Sequence, residues 1–177
     1  MDGAVTGVDV GASARPADPR AEALVREVGL LPEMLSGAVA EPRDPYLAAY
    51  VAAMGVVVER AHAASAGEHD WVLRVRAALR TLLGELSACP ELARACVVVS
   101  ERVDEWARLS LDSVLERFGE LIWPAAEDQA GTAVARSRVL AGEVLALIGE
   151  TASDGSAAAL PGLLVQLHWW VVALRSL

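Results

Sequence analysis

Apolar side chains in this chain recur at intervals of three and four over long stretches, and that spacing narrows its possible folds more than any other feature. Val72, Val75, Leu79, Leu82, Leu83 and Leu86 follow it, which places them on one stripe of a helix with 3.6 residues per turn. Leu47, Tyr50, Val51, Met54, Val57, Val58 and Ala61 follow it too, behind an Asp44-Pro45 pair suited to an N-cap and first-turn proline. Asp70 is placed to cap the Val72 helix, and Gly67 lies in the break before it. Pro90 opens a short segment, PELARACVVV. Its VVV also suits a strand, but an isolated strand would have no partner, so a helix is expected.

The next helix is expected from about Glu101 to Trp123, with two apolar sides: Val103, Trp106, Ser110, Val114 and Leu121 on one, Leu111, Leu115, Phe118 and Ile122 on the other. Two apolar sides imply deep burial. Pro124 and the AAEDQAG segment end it, and Thr132 opens a helix carrying Val139, Leu140, Val144, Leu147 and Ile148. After a loop at Ser153 to Ser156, the last helix is expected to start around Pro161. It would bury Leu160, Leu163, Leu164, Leu167, Val171 and Leu174, with Trp169 and Trp170 widening its apolar surface. The expected fold is all-α. Ahead of Asp44, residues 1–19 carry no apolar periodicity and are expected to be a flexible leader. Two short helical patterns, AEALVREV and LPEMLSGAVA, follow on either side of Gly29.

With 177 residues the chain suits one core rather than two. The net charge is −9, and all 15 basic residues are arginine. No basic patch of the kind that grips a phosphate backbone is apparent, which opposes autonomous nucleic-acid binding. Acidic residues stand where a secretory signal needs positive ones, so a cytoplasmic location is expected. Gln166 and His168 interrupt the apolar stretch from Leu160 to Leu174, and no membrane association is expected. Cys89 and Cys96 are too few for a disulfide framework and read as small buried thiols.

Chemistry-bearing patterns are sparse. His62, His69 and His168 form no HxxxH pairing, and the cysteines form no CxxC, so no metal is expected. Neither a GxxxxGK[ST] nor a GxGxxG pattern occurs, and no GxSxG elbow, so no cofactor and no enzymatic activity are expected. The five tryptophans stand out among scarce aromatics. Trp71 and Trp106 could each wall a pocket for a hydrophobic ligand or simply fill the core. Ser110 and Ser113 could orient such a ligand or bond back to the preceding turn.

Gly142, Ala146 and Gly149 lie at spacings of four and three, which would let another backbone approach. Next to an over-apolar last helix, they suit either packing within the chain or a homodimer in which two helices from each subunit form a four-helix bundle. For the dimer, the expected interface is Gly142, Ala146, Gly149, Leu163, Leu167, Trp170 and Leu174.

The stretch from DPYLAAY through DWVLRVRAALRTLL to CPELARACVVV resembles the start of the ligand-binding domain of bacterial tetracycline-repressor-type (TetR) regulators. The ending LPGLLVQLHWWVVALRSL is similar in layout to the last two helices of that family, which form its dimerisation bundle. The resemblance implies a TetR-like C-terminal bundle of five to six main helices over 44–177, preceded at 20–43 by a remnant of the helix-turn-helix head. In that remnant Val28-Gly29-Leu30 would stand at the turn and LPEMLSGAVAE at the recognition helix. There Leu31, Pro32, Glu33, Met34, Leu35 and Val39 occupy positions that contact DNA in the family. Glu33 and Glu41 would repel phosphates, and no arginine compensates. The head is therefore read as degenerate or truncated.

The expected function is a TetR-like regulator homologue that senses a small hydrophobic ligand and dimerises, with DNA binding impaired or absent. Its pocket is expected between the helices holding Tyr50, Met54, Trp106 and Ser110. Two alternatives stand beside it. One is a working repressor whose head is lost to a misplaced start or supplied by a partner. The other is a structural interaction module without a ligand.

Overall fold

The computed structural model describes residues 19–28, 45–101, 105–123 and 132–175, with side chains at 24, 27–28, 97–101, 105–110 and 132–134 left aside. The described residues form seven α-helices, α1 (Pro19–Val28), α2 (Pro45–Ser65), α3 (Trp71–Ala88), α4 (Pro90–Glu101), α5 (Glu105–Ile122), α6 (Thr132–Asp154) and α7 (Leu164–Arg175). A 3-10 segment, Ala157–Leu163, leads into α7, and no strand occurs among them. The fold is all-α. Residues 1–18 of the expected leader at 1–19, the LPEMLSGAVAE segment with Glu33 and Glu41, and the side chains of Trp106 and Ser110 lie outside the described residues, while Pro19 opens α1.

Local chemistry accounts for the helix boundaries. The Asp70 side chain accepts hydrogen bonds from the backbone N–H groups of Val72 (2.7 Å) and Leu73 (3.1 Å), satisfying two donors that the first turn of α3 leaves open. Cys89 ends α3, and Pro90 starts α4 with the ring φ that suits a first turn. The Val97–Val99 run is helical, as expected. Of the expected helix from Glu101 to Trp123, Glu101 belongs to α4 and the described α5 spans Glu105–Ile122. Likewise α6 continues through Asp154, where a loop from Ser153 was expected. Pro161 does not open the last α-helix but sits inside the 3-10 segment. Ser156 caps that segment, and its end is marked by Leu164 N–H donating to the Pro161 carbonyl. An i→i+3 turn accommodates a proline that an α-helical interior would not.

One core draws on every helix. Tyr50, Met54, Leu79, Leu82, Leu83, Leu86, Leu92, Phe118, Ile122, Ile148 and Leu160 are its largest fully buried side chains. Helix α2 packs chiefly on α3 and α1, while α6 packs on α4 and α5. Ala21 and Val25 of α1 join the same core, so the described part of the expected head remnant shares the hydrophobic centre of the body. Helix α7 docks on α3 and the 3-10 segment through Leu167 and Val171. It makes no extensive contact with α6, and the two helices face each other across a groove.

By length and composition alone, two helical stretches could cross a membrane: α2, and Ala157–Arg175 taken as one unit. The second includes Gln166 and His168. Half of the α2 window is buried inside the protein, which a core helix explains equally well. The α-helical part of the second stretch has 12 residues, about 18 Å of rise against a hydrocarbon layer of about 30 Å.

Candidate functional site

Concave features flank α6 both inside the bundle and on its surface. The internal one is a cavity of about 80 Å³ lined by Tyr50 of α2, Cys96 of α4, Leu111, Val114 and Leu115 of α5, and Gly142, Leu145 and Ala146 of α6. Its polar groups engage each other: the Tyr50 hydroxyl donates to Cys96 Sγ at 3.6 Å, and the thiol donates to the Leu92 carbonyl at 3.6 Å. Burial pushes the Cys96 thiol up to about 11 and holds the Tyr50 hydroxyl well above its usual range. Both stay protonated at neutral pH, so Cys96 is a packing thiol rather than a thiolate nucleophile. A volume of this size takes only a few heavy atoms, short of the 300–1,000 Å³ usual for a ligand pocket.

The sequence-predicted ligand residues divide here. Tyr50 borders the cavity; Met54, one turn along α2, is fully buried in the core and does not line it. Leu111, Val114 and Leu115 are the described α5 side chains at the cavity, and the side chains of Trp106 and Ser110 lie outside the described residues. Cys96, Leu111, Leu115, Gly142 and Ala146 were not singled out as pocket residues, because their membership depends on how four helices cross.

The surface feature is a groove of about 580 Å³ between α6 and α7. Ala135, Val139 and Leu140 form one wall, Trp170 and Leu174 the other, with Trp123 beyond the end of α5 and the charges of Arg136 and Glu143 on the α6 side. A second, shallower depression of about 500 Å³ lies on the opposite flank of α6, bounded by Leu115, Ala135, Arg138, Val139, Gly142 and Glu143. Val139 is the crest between the two and is 66% exposed; Val165 and Trp169 on α7 are 62% and 65% exposed. Solvent contact at such side chains forgoes roughly 1.5–3 kcal/mol each that burial of a large apolar group supplies.

The expected interface residues fall into two sets. Trp170 and Leu174 line the groove and are half-buried, as are Leu163, Gly142 and Ala146. Leu167 and Gly149 are buried inside the protomer, which corrects the expectation that they meet a second copy: the stripe bearing Leu167 is the one α7 turns onto α3. Within the chain no helix packs closely on Gly142, since a Cβ placed there would meet nothing within 4 Å. A close approach within the chain occurs at Gly119 of α5, where a Cβ would lie 2.9 Å from Ser137 Oγ.

Trp71, His62 and His168 make contacts within the fold. The Arg175 guanidinium lies 4.1 Å from the centroid of the Trp71 ring, a cation–π contact that covers the indole. His168 Nε2 is 3.1 Å from the Val72 carbonyl, and His62 Nε2 is 3.0 Å from the Arg117 carbonyl. No group of three His, Cys, Asp or Glu side chains among the described residues is arranged to hold a metal ion. Both cysteines are free and buried. No family model matches the chain, and neither a curated protein nor a solved structure is matched by it.

Proposed function

We propose that this chain is the ligand-sensing and dimerising body of a TetR-like regulator in which DNA binding is impaired or lost, working in the cytoplasm as a homodimer joined through α6 and α7. The observation that carries this reading is the apolar surface that those two helices leave uncovered: Val139 stands in solvent on the rim of a groove walled by Trp123, Trp170 and Leu174, and Val165 and Trp169 are exposed on a further face of α7. Exposed apolar surface that continues into an aromatic-lined groove marks a contact surface. The 24 acidic against 15 basic side chains favour a partner other than nucleic acid.

Sedimentation-equilibrium measurement of the full chain, followed by a DNA-binding titration, tests the proposal. A dimer with only weak, sequence-independent DNA affinity is the expected result. A chain that stays monomeric at high micromolar concentration overturns the dimer, and tight sequence-specific binding overturns the loss of DNA recognition.

A second reading, an interaction module without a small-molecule ligand, is favoured by the small size of the cavity beside Tyr50. Titration with a panel of small hydrophobic compounds, followed by tryptophan fluorescence and melting temperature, separates the two readings. A saturable rise in melting temperature supports ligand sensing, and none across the panel supports the module.

A further inference from the structure

We infer that α6 crosses the α6 of a second copy of this chain in antiparallel fashion about a two-fold axis passing between Val139 and Leu140, so that Arg136 of each copy pairs with Glu143 of the partner subunit. This rests on the dimer reading above and specifies its register. Arg136 and Glu143 both line the α6–α7 groove and both are exposed. Seven residues separate them, two helical turns, which sets them on one stripe about 10.5 Å apart along the axis. Neither takes part in an ion pair among the described residues, where Arg138 pairs with Asp112 and Arg117 with Glu59. The stripe thus presents a plus and a minus charge with the exposed Val139 between them.

A two-fold contact uses the same patch from both copies, so a self-complementary patch is required. An axis perpendicular to α6 and midway between the two charges exchanges positions 136 and 143, and each arginine then meets a glutamate. A parallel arrangement would set arginine on arginine and glutamate on glutamate. The antiparallel crossing makes two reciprocal charge-assisted pairs per dimer, flanked by Val139, Leu140 and Trp170, whose apolar surface excludes water and strengthens them. Among the described residues, no ion pair has to break to form them.

Charge reversal on the full chain, read by sedimentation velocity over a concentration series, tests this register. R136E and E143R each oppose like charges at both reciprocal positions and are expected to weaken the dimer by roughly tenfold or more. Mixing the two variants in equal amounts is expected to restore dimers, since both pairs of the mixed dimer again join opposite charges. The R136E/E143R double variant is expected to self-associate as the unmodified chain does. Both side chains are exposed, and unchanged circular dichroism spectra verify folding. A dimeric unmodified chain whose single variants associate normally, or whose mixture stays dissociated, overturns this register and leaves the dimer reading standing. A monomeric unmodified chain overturns the dimer reading itself and the register with it.

Discussion

The same added methyl group is expected to act in opposite directions at two glycines on neighbouring helices. At Gly119 an alanine Cβ would lie 2.9 Å from Ser137 Oγ and 3.1 Å from the Ser137 carbonyl carbon, and Ser137 is buried, so the helices must part. Gly119→Ala is expected to destabilise by about 1–2 kcal/mol, overpacking outweighing the better helix propensity. At Gly142 the Cβ enters open space beside the internal cavity, and Gly142→Ala is expected to stabilise by about 1 kcal/mol. Urea denaturation at one fixed protein concentration measures both. Cys96 offers a pH signature. Its folded pKa of about 11 exceeds the ordinary 9.0, so above pH 9 the unfolded chain loses this proton first and the folded state keeps it. Stability is therefore undiminished by this group below pH 9 and falls as pH rises towards 11, by on the order of 2–3 kcal/mol. Denaturation at pH 8 and pH 11 reads the slope, and Cys96→Ala is expected to flatten it. The buried Tyr50 hydroxyl, also shifted upward, leaves a residual slope of the same sign.

At the level of elements, the start of α3 gathers several restraints. Asp70 caps it, Arg74 donates to the Glu68 carbonyl, His168 reaches the Val72 carbonyl, and Arg175 covers Trp71. The last two contacts anchor α7, a helix with few buried side chains of its own. Asp70→Ala is expected to cost about 1 kcal/mol, lowering the melting temperature by roughly 2–4 °C in a chain of this size. The exposed Arg60–Glu85 pair between α2 and α3 is expected to contribute less, because solvent screens it. Calorimetric comparison of Asp70→Ala with Glu85→Gln checks that order. This cap was legible in the sequence, since an aspartate before an apolar period satisfies local backbone donors whatever the tertiary context. The 3-10 lead into α7 was not legible: Pro161 suits the first turn of an α-helix equally well, and only the packing of Leu160 into the core selects the tighter turn.

At the scale of the molecule, the seven helices among the described residues surround one core and leave an apolar, grooved face along α6 and α7. If that face joins two copies, folding and association are linked, and the melting temperature should rise with protein concentration. Scanning calorimetry over a hundredfold concentration range is expected to show this shift for the unmodified chain. A smaller shift is expected for R136E. A concentration-independent melting temperature counts against the dimer.

The sequence by itself determined the helical class, most helix boundaries and the buried stripes of α2, α3 and α5, because period and capping are properties of consecutive residues. It also showed that α7 carries more apolar surface than one stripe requires. Only the tertiary structure decided which apolar residues that surplus comprises. Val139 and Leu167 sit in equally convincing periodic patterns, yet Val139 stands in solvent and Leu167 is fully buried. Periodicity identifies a helical face but not the neighbour it meets, and the rotation of α6 and α7 about their axes follows from how α3, α4 and α5 seat them. The close approach of Gly119 to Ser137 was hidden for the same reason: a single glycine carries no periodic signal, and its partner is fixed by a crossing between two helices.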